Sequence, residues 1–125
     1  MSMNRIHACE RNKKNCVSSF NSEPSQYVEP IPYHSDEKTA VQLMESVLLD
    51  LNGTEIEEKD PAYIRCICKT AFLKFKDDVE IWFDAENKKV HIKSSSRMGK
   101  YDFGVNKKRA KHVLKAFQEK EKAAR

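Results

Sequence analysis

Hydrophobic residues follow two different periods along this chain of 125 residues. In residues 40–51 they recur mainly at intervals of three and four, the spacing of an amphipathic helix. Asp36 and Glu37 come just before this stretch, where negative charge favours the start of a helix. Asn52 and Gly53 follow it, and glycine readily adopts the left-handed conformation that ends a helix. The pattern predicts a helix that stops at this pair.

Beyond this helix the apolar residues alternate with polar ones, which is typical of strands. Residues 54–59 and 62–70 show the alternation on either side of a turn at residues 60–61, and residues 78–84 and 90–94 repeat it across a short loop. Connections this short join antiparallel neighbours. A four-stranded antiparallel meander is therefore expected.

A second helical pattern closes the chain, over residues 106–121. Its apolar positions are Ala110, Val113, Leu114 and Phe117. Two helices packed on one face of the meander form a two-layer sandwich, so the expected fold class is α+β. Residues 1–25 have no apolar period and are expected to form an irregular, partly mobile arm, followed by a single domain over residues 26–125.

The composition limits the class of protein. Hydrophobic residues make up 39% of the chain and charged residues 34%, which suits one polar globular domain. The sequence begins without the apolar run of a secretory signal, and no stretch is long enough to span a membrane, so a cytoplasmic location is expected. The oligomeric state does not follow from the sequence.

The charge is uneven along the chain. Residues 37–84 carry a net charge of −5, and residues 86–125 carry +9. A solvated helix face explains this basic segment better than nucleic-acid binding does, because the segment offers few aromatic platforms for bases. The lysines and arginine that would meet phosphates are Lys107, Lys108, Arg109, Lys111 and Lys115. An anionic small molecule is therefore the partner that the sequence favours.

The four cysteines are expected to be reduced structural thiols. Cys9 and Cys16 are separated by six residues and Cys66 and Cys68 by one, and neither spacing matches the common C-x2-C zinc motif. The cytosol also disfavours disulfides. Zinc and a disulfide remain the lesser alternatives, and no metal or cofactor is expected.

Residues 91–109 form the most unusual stretch of the chain. It leaves a strand, passes through three serines and Arg97, and enters the last helix. Asn106 is a good N-cap, but Lys107, Lys108 and Arg109 follow it in the first turn, where positive charge opposes the helix dipole. Negative charge is therefore expected close to these cations.

That negative charge has two possible sources. In the first, Asp77, Asp78 and Glu80 of the neighbouring strand form ion pairs with Arg97 or Arg109 and so hold the fold together. In the second, an external phosphate or carboxylate binds at the junction of strand and helix. The residues expected to hold that anion are Ser94, Ser96, Arg97, Asn106 and Arg109.

Five motifs in a fixed order identify a family. They are CVSS at 16–19, PIPY at 30–33, FKDDVE at 75–80, IKSSSRMG at 92–99 and DFGVNKKR at 102–109. With these motifs the chain resembles the DUF1499 family, a domain of unknown function, although Lys93 stands where the family more often has arginine. The resemblance implies no activity, and it directs attention to a set of polar residues. These are Cys16, Ser18, Asp77, Asp78, Glu80, Ser94, Ser96, Arg97, Asp102, Asn106 and Arg109.

Catalysis has only weak candidates. Cys16 or Ser18 can act as a nucleophile if His91 or His112 serves as its base, but no nucleophile elbow surrounds either residue. A metal site at residues 77–80 is disfavoured, because adjacent residues of a strand point to opposite faces. The sequence therefore favours a non-enzymatic anion-binding module. The alternatives are a purely structural or protein-interaction domain and a Cys- or Ser-dependent hydrolase.

Overall fold

A computed structural model describes residues 3–69, 76–99 and 104–125 of the chain as an α+β fold. It contains two helices and a six-stranded sheet. The elements are β1 (Cys16–Ser18), β2 (Ile31–Pro32), α1 (Glu37–Leu49), β3 (Thr54–Asp60), β4 (Tyr63–Lys69), β5 (Lys76–Asp84), β6 (Lys89–Ser96) and α2 (Val105–Ala124), with a short 3-10 turn at Pro24–Gln26. None of the described helices is long and apolar enough to cross a membrane.

The sheet contains the predicted meander but has two further strands. Strands β3 to β6 pair in sequence and antiparallel, as expected. The prediction of four strands was wrong, because β1 and β2 both pair antiparallel with β6, through Val17 opposite Ser94 and Ile31 opposite Val90. Strands of three and two residues are too short to show an alternating pattern. They join the sheet through backbone hydrogen bonds, which sequence patterns do not reveal.

Both helices bury their apolar stripes against one face of the sheet. Alternation along the strands places Ile64, Cys66, Val79, Ile81 and Ile92 on this helix-covered face, and each of them is fully buried. The two helices contribute Met44, Leu48, Val113 and Phe117 to the same core. The sheet and the helices thus share one hydrophobic core.

Helix α1 begins at Glu37, next to the predicted acidic start, and ends at Leu49, shortly before the Asn52-Gly53 pair at which its pattern predicts a stop. Asp36 is the N-cap, and its Oδ1 accepts a hydrogen bond of 2.8 Å from the backbone N–H of Thr39. Gly53 follows the helix with a φ of +77°. A side chain at Gly53 would also meet the carbonyl oxygen of Lys69, 2.8 Å from the position of its Cβ. Only glycine fits this turn without strain.

Helix α2 starts one residue earlier than predicted and extends three residues further. Its N-cap is Gly104, with a φ of +80°, and not Asn106. Asn106 is instead the second residue of the helix, and its side chain is fully buried. Near the other end, Glu121 accepts hydrogen bonds from the backbone N–H groups of His34 and Ser35. The carboxylate of Glu121 thereby ties the end of α2 to the start of α1.

The N-terminal segment lies against the opposite face of the sheet. The guanidinium of Arg5 sits 4.0 Å from the centre of the Tyr63 ring, and Phe20 stacks on His91 with ring centres 4.2 Å apart. Ile6, within this segment, is buried. The N-terminal segment thus covers part of the sheet face that the helices do not cover.

A disulfide joins Cys9 to Cys16, so the expectation that all four cysteines are reduced was wrong for this pair. A turn at residues 11–12, closed by a hydrogen bond from Lys13 N–H to Glu10 O, reverses the chain. The two Cα atoms come to 5.9 Å, within the usual range for a disulfide. Residue spacing alone did not reveal this turn. Cys66 and Cys68 are free, as expected.

Candidate functional site

The junction of β6 and α2 holds a buried hydrogen-bond network around Arg109. Its Nη1 lies 2.8 Å from Oδ2 of Asp77 and donates to Oδ1 of Asn106 at 3.0 Å and to Oγ of Ser94 at 3.3 Å. The Ser94 hydroxyl donates in turn to Asn106 Oδ1 at 2.6 Å. The side chain of Asp77 is only 3% exposed and that of Arg109 is 14% exposed. We refer to Asp77, Ser94, Asn106 and Arg109 as the junction network.

Asn15 extends the junction network into the N-terminal segment. The Nδ2 of Asn106 donates to the Asn15 carbonyl at 3.2 Å and to Ser96 Oγ at 2.8 Å. Asn15 is itself fully buried, and its Nδ2 donates to the carbonyls of Met98 and Gly99. Sequence reasoning missed Asn15, because a single asparagine in an unpatterned segment has no distinctive signal.

Arg97 lies on the opposite face of the sheet from the junction network. It forms a bidentate pair with Asp78, with its Nε 2.8 Å from Oδ2 and its Nη2 3.0 Å from Oδ1. The Nη1 of Arg65 lies 3.4 Å from the same carboxylate. The alternation of side chains along β5 and β6 produces this separation. The five predicted anion ligands are therefore split, with four near the junction and Arg97 across the sheet.

The remaining predicted ion-pair partner, Glu80, shares that open face. It accepts a hydrogen bond of 2.7 Å from the hydroxyl of Tyr63. Burial, and then the hydrogen bond to Glu80, raise the pKa of Tyr63. A shallow pocket of about 410 Å³ beside Glu80 is lined by Arg65, Asp78, Glu80, Lys93, Ser95 and Arg97. It mixes acids with bases, so its charges largely offset one another.

A second pocket, of about 330 Å³, lies between the end of β4 and the first turns of α2. It is lined by Leu51, Asn52, Thr54, Cys68, Lys69, Lys108, Arg109 and His112, and we call it the cationic pocket. Among the described residues, no carboxylate lines it. Neither the ammonium of Lys69 nor that of Lys108 has an ion-pair or hydrogen-bond partner within the described part of the chain. Three basic side chains thus border one cavity.

The comparison with known families agrees with the motifs. The profile of the family described as "protein of unknown function (DUF1499)" matches residues 5–117. The chain belongs to the DUF1499 family. No curated protein matches the chain significantly.

The cationic pocket of this DUF1499 domain contains a thiol. The Sγ of Cys68 lies 3.3 Å from the hydroxyl of Thr54. Hydrogen bonds from Cys66 and Thr54, with the charge of Arg109, lower the pKa of Cys68, whereas burial and the charge of Asp77 oppose the change. The hydrogen bond to Cys68 and burial raise the pKa of Cys66. Of the two thiols, only Cys68 borders the cationic pocket.

The catalytic candidates of the DUF1499 domain are not assembled as the hydrolase hypothesis requires. Cys16 has no free thiol, because it forms the disulfide with Cys9. The hydroxyl of Ser18 accepts a hydrogen bond of 3.0 Å from the Phe20 N–H, and His91 contacts Ser19 instead, with Nδ1 2.8 Å from Oγ. Burial lowers the pKa of His91. The other proposed base, His112, borders the cationic pocket.

The acidic residues of β5 are divided between the two faces. Asp77 faces the helices, and Asp78 lines the open-face pocket with Glu80. Within residues 3–69, 76–99 and 104–125, no three His, Cys, Asp or Glu side chains form a group that could hold a metal ion. Three residues of the DUF1499 motifs, Phe75, Asp102 and Phe103, lie outside the described residues.

Proposed function

We propose that this DUF1499 domain is a non-enzymatic module that binds a small anion, a phosphate or a carboxylate, in the cationic pocket. The observation that carries the proposal is the convergence of Lys69, Lys108 and Arg109 on one cavity that no described carboxylate lines. Like charges gathered around one concave site repel one another, and a bound anion offsets that repulsion.

The two lysines are the main source of uncompensated charge. Arg109 is already paired with Asp77, so its charge is partly balanced from behind the pocket. Lys69 and Lys108 have no such partner among the described residues. An anion in the pocket therefore gains most of its attraction from these two side chains. Asn52, Thr54 and His112 line the same cavity and supply groups that can donate hydrogen bonds.

The residues predicted from the sequence have divided roles in this proposal. Arg109 contributes directly to the pocket, and Ser94 and Asn106 hold its guanidinium in place through the junction network. Ser96 supports Asn106 through a hydrogen bond. Arg97 lies on the other face of the sheet, so it is not one of the ligands in this proposal.

A purely structural or protein-interaction domain is the second candidate. The observation that favours it is the internal pairing of both arginines, Arg109 with Asp77 and Arg97 with Asp78. Those pairs supply from within the fold the negative charge for which an external anion was the other predicted source. The two candidates differ in what they predict for Lys69 and Lys108, which are functional in the first and only solvated in the second.

Thermal unfolding in inorganic phosphate, against sodium chloride at the same ionic strength, tests the proposal. Phosphate at about 100 times its dissociation constant should stabilise the protein by about 2.7 kcal/mol. The double variant Lys69→Gln/Lys108→Gln should lose most of this phosphate-specific stabilisation. The double variant Lys111→Gln/Lys115→Gln makes the same charge change outside the pocket and should keep it. A parallel series with succinate separates phosphate from carboxylate binding.

Two results would count against anion binding. One is the absence of any stabilisation by phosphate or succinate beyond that of chloride. The other is an equal loss in both double variants, which indicates non-specific screening of net charge. Arg97→Ala is a further control. It should retain the full response to phosphate, because Arg97 is on the opposite face of the sheet.

The proposed cytoplasmic location conflicts with the disulfide between Cys9 and Cys16. Disulfides persist mainly in oxidising compartments, whereas the cytosol keeps most thiols reduced. Alkylation of free thiols in intact cells, followed by mass spectrometry, distinguishes the two. Alkylated Cys9 and Cys16 would support the cytoplasm, and their protection until a reductant is added would support an oxidising compartment.

A further inference from the structure

We propose that Cys68 is a nucleophilic thiol that forms a mixed disulfide with an anionic low-molecular-weight disulfide, of which glutathione disulfide is an example. The preference for an anionic partner rests on the proposed function of the cationic pocket. The reactivity of Cys68 rests on a separate observation, the placement of a thiol in the wall of a cavity beside the Thr54 hydroxyl and a guanidinium.

Cys68 is buried, yet it lines a pocket that opens to solvent. It lies near the end of β4 on the helix-covered face, where its Cα pairs with that of Asp77 in β5. Only 3% of Cys68 is exposed, but Cys68 borders the cationic pocket. A reagent that enters the pocket therefore reaches the wall that Cys68 helps to form, without unfolding of the domain.

The surroundings of Cys68 favour the thiolate, which is the nucleophilic form of cysteine. The Thr54 hydroxyl lies 3.3 Å from its sulfur, and Arg109 borders the same pocket. Asp77 opposes ionisation, but it is held by Arg109 at 2.8 Å. The neighbouring Lys69 and Lys108 add positive charge to the path by which a reagent enters.

Cys66 provides an internal comparison for Cys68. Both thiols are free and lie on the same face of β4. Cys66 is fully buried and does not line the pocket. If the pocket controls reactivity, only Cys68 should react in the folded protein.

The reaction is thiol–disulfide exchange. The Cys68 thiolate attacks one sulfur of the small disulfide, and a new S–S bond forms as the original S–S bond breaks. The other half of the reagent leaves as a thiolate, so no further oxidant is required. The negative charge of an anionic reagent is attracted to Lys69 and Lys108 during the encounter.

Three small disulfides of different charge test the proposal: glutathione disulfide (anionic), hydroxyethyl disulfide (neutral) and cystamine (cationic). The rate of adduct formation on the native protein is followed by mass spectrometry, and peptide mapping locates the adduct. We expect modification at Cys68, with the anionic reagent reacting about 10-fold or more faster than the cationic one at low salt. Cys68→Ser should abolish the adduct.

Charge variants separate this proposal from the anion-binding proposal. Lys69→Gln/Lys108→Gln should slow glutathione disulfide by about 10-fold and leave hydroxyethyl disulfide nearly unchanged, whereas Lys111→Gln/Lys115→Gln should slow neither. Phosphate stabilisation with an unreactive Cys68 overturns the thiol proposal alone. Reaction at Cys68 without any preference for charge overturns the anionic partner but keeps the nucleophile. Reaction at both thiols at the rate of global unfolding overturns the whole inference.

Discussion

Two adjacent aspartates of β5, Asp77 and Asp78, each pair with an arginine, and the two pairs lie in different environments. Asp77 and Arg109 face the helices, where their side chains are 3% and 14% exposed. Asp78 and Arg97 face the open side of the sheet, where the exposed fractions are 30% and 41%. Both pairs join a guanidinium to a carboxylate, but they differ in burial and in the further partners of each arginine.

The exposed pair has the better geometry, and the buried pair should matter more for stability. Arg97 contacts both oxygens of Asp78, yet exposed ion pairs contribute only about 0–1 kcal/mol, because water and salt screen them. Arg109 is embedded in the junction network, where the loss of Asp77 would leave a cation without its partner. Burial, rather than the number of hydrogen bonds, should decide what each pair contributes.

Substitution of the two aspartates tests this comparison most directly and should have the largest effect. Asp77→Asn should lower the free energy of unfolding by about 3 kcal/mol, because it leaves Arg109 poorly compensated. Asp78→Asn should lower it by about 1 kcal/mol or less. Urea denaturation of both variants at pH 7 measures the difference. Equal losses would show that burial does not distinguish the two pairs.

Removal of the disulfide tests the stability of the open face of the sheet, on which the N-terminal segment packs and the exposed pair lies. The N-terminal segment packs there through few large apolar residues, so the cross-link should contribute much of its stability. Cys9→Ser/Cys16→Ser should lower the free energy of unfolding by about 2 kcal/mol, the size expected for a short loop. The same denaturation experiment in a reducing buffer is the control, and there the variant and the parent protein should converge. A difference that persists after reduction would contradict the role of the cross-link.

Glu121 is a buried carboxylate of α2 that has N–H and O–H donors in place of an arginine. Its substitution should have the smallest effect of the three. Burial raises its pKa, but hydrogen bonds from Ser35 and His34 outweigh burial and lower it overall. Its stabilising effect is therefore present above the pKa of the unfolded chain, about 4.3, and is lost as the pH falls through the folded value.

The variant Glu121→Gln should lower the free energy of unfolding by about 1–2 kcal/mol at pH 7. This difference from the parent protein should shrink as the pH falls from about 5 towards 3. Glu119→Gln, at an exposed position of the same helix, is the matched control and should show little change at either pH. A difference between Glu121→Gln and the parent protein that does not depend on pH would contradict the assigned cause.

The sequence predicted some features of the candidate site and not others. It indicated that cations at the start of α2 need negative charge nearby, and Asp77 lies 2.8 Å from Arg109. It grouped Arg97 with Arg109, although residue alternation in β6 places Arg97 on the other face. It did not identify Lys69 or Cys68 as pocket residues, because they approach Lys108 only after β4 and α2 have packed.

The motifs in the sequence were sufficient to identify the family. Both helices, the four long strands and the glycine turn after α1 also followed from the sequence, because period and turn chemistry are local properties that each segment carries alone. The two short strands β1 and β2, the disulfide, the role of Asn15 and the lining of the cationic pocket became apparent only in the folded chain. These features depend on backbone pairing and on contacts between residues far apart in the chain. Such contacts arise from packing, and no local pattern encodes them.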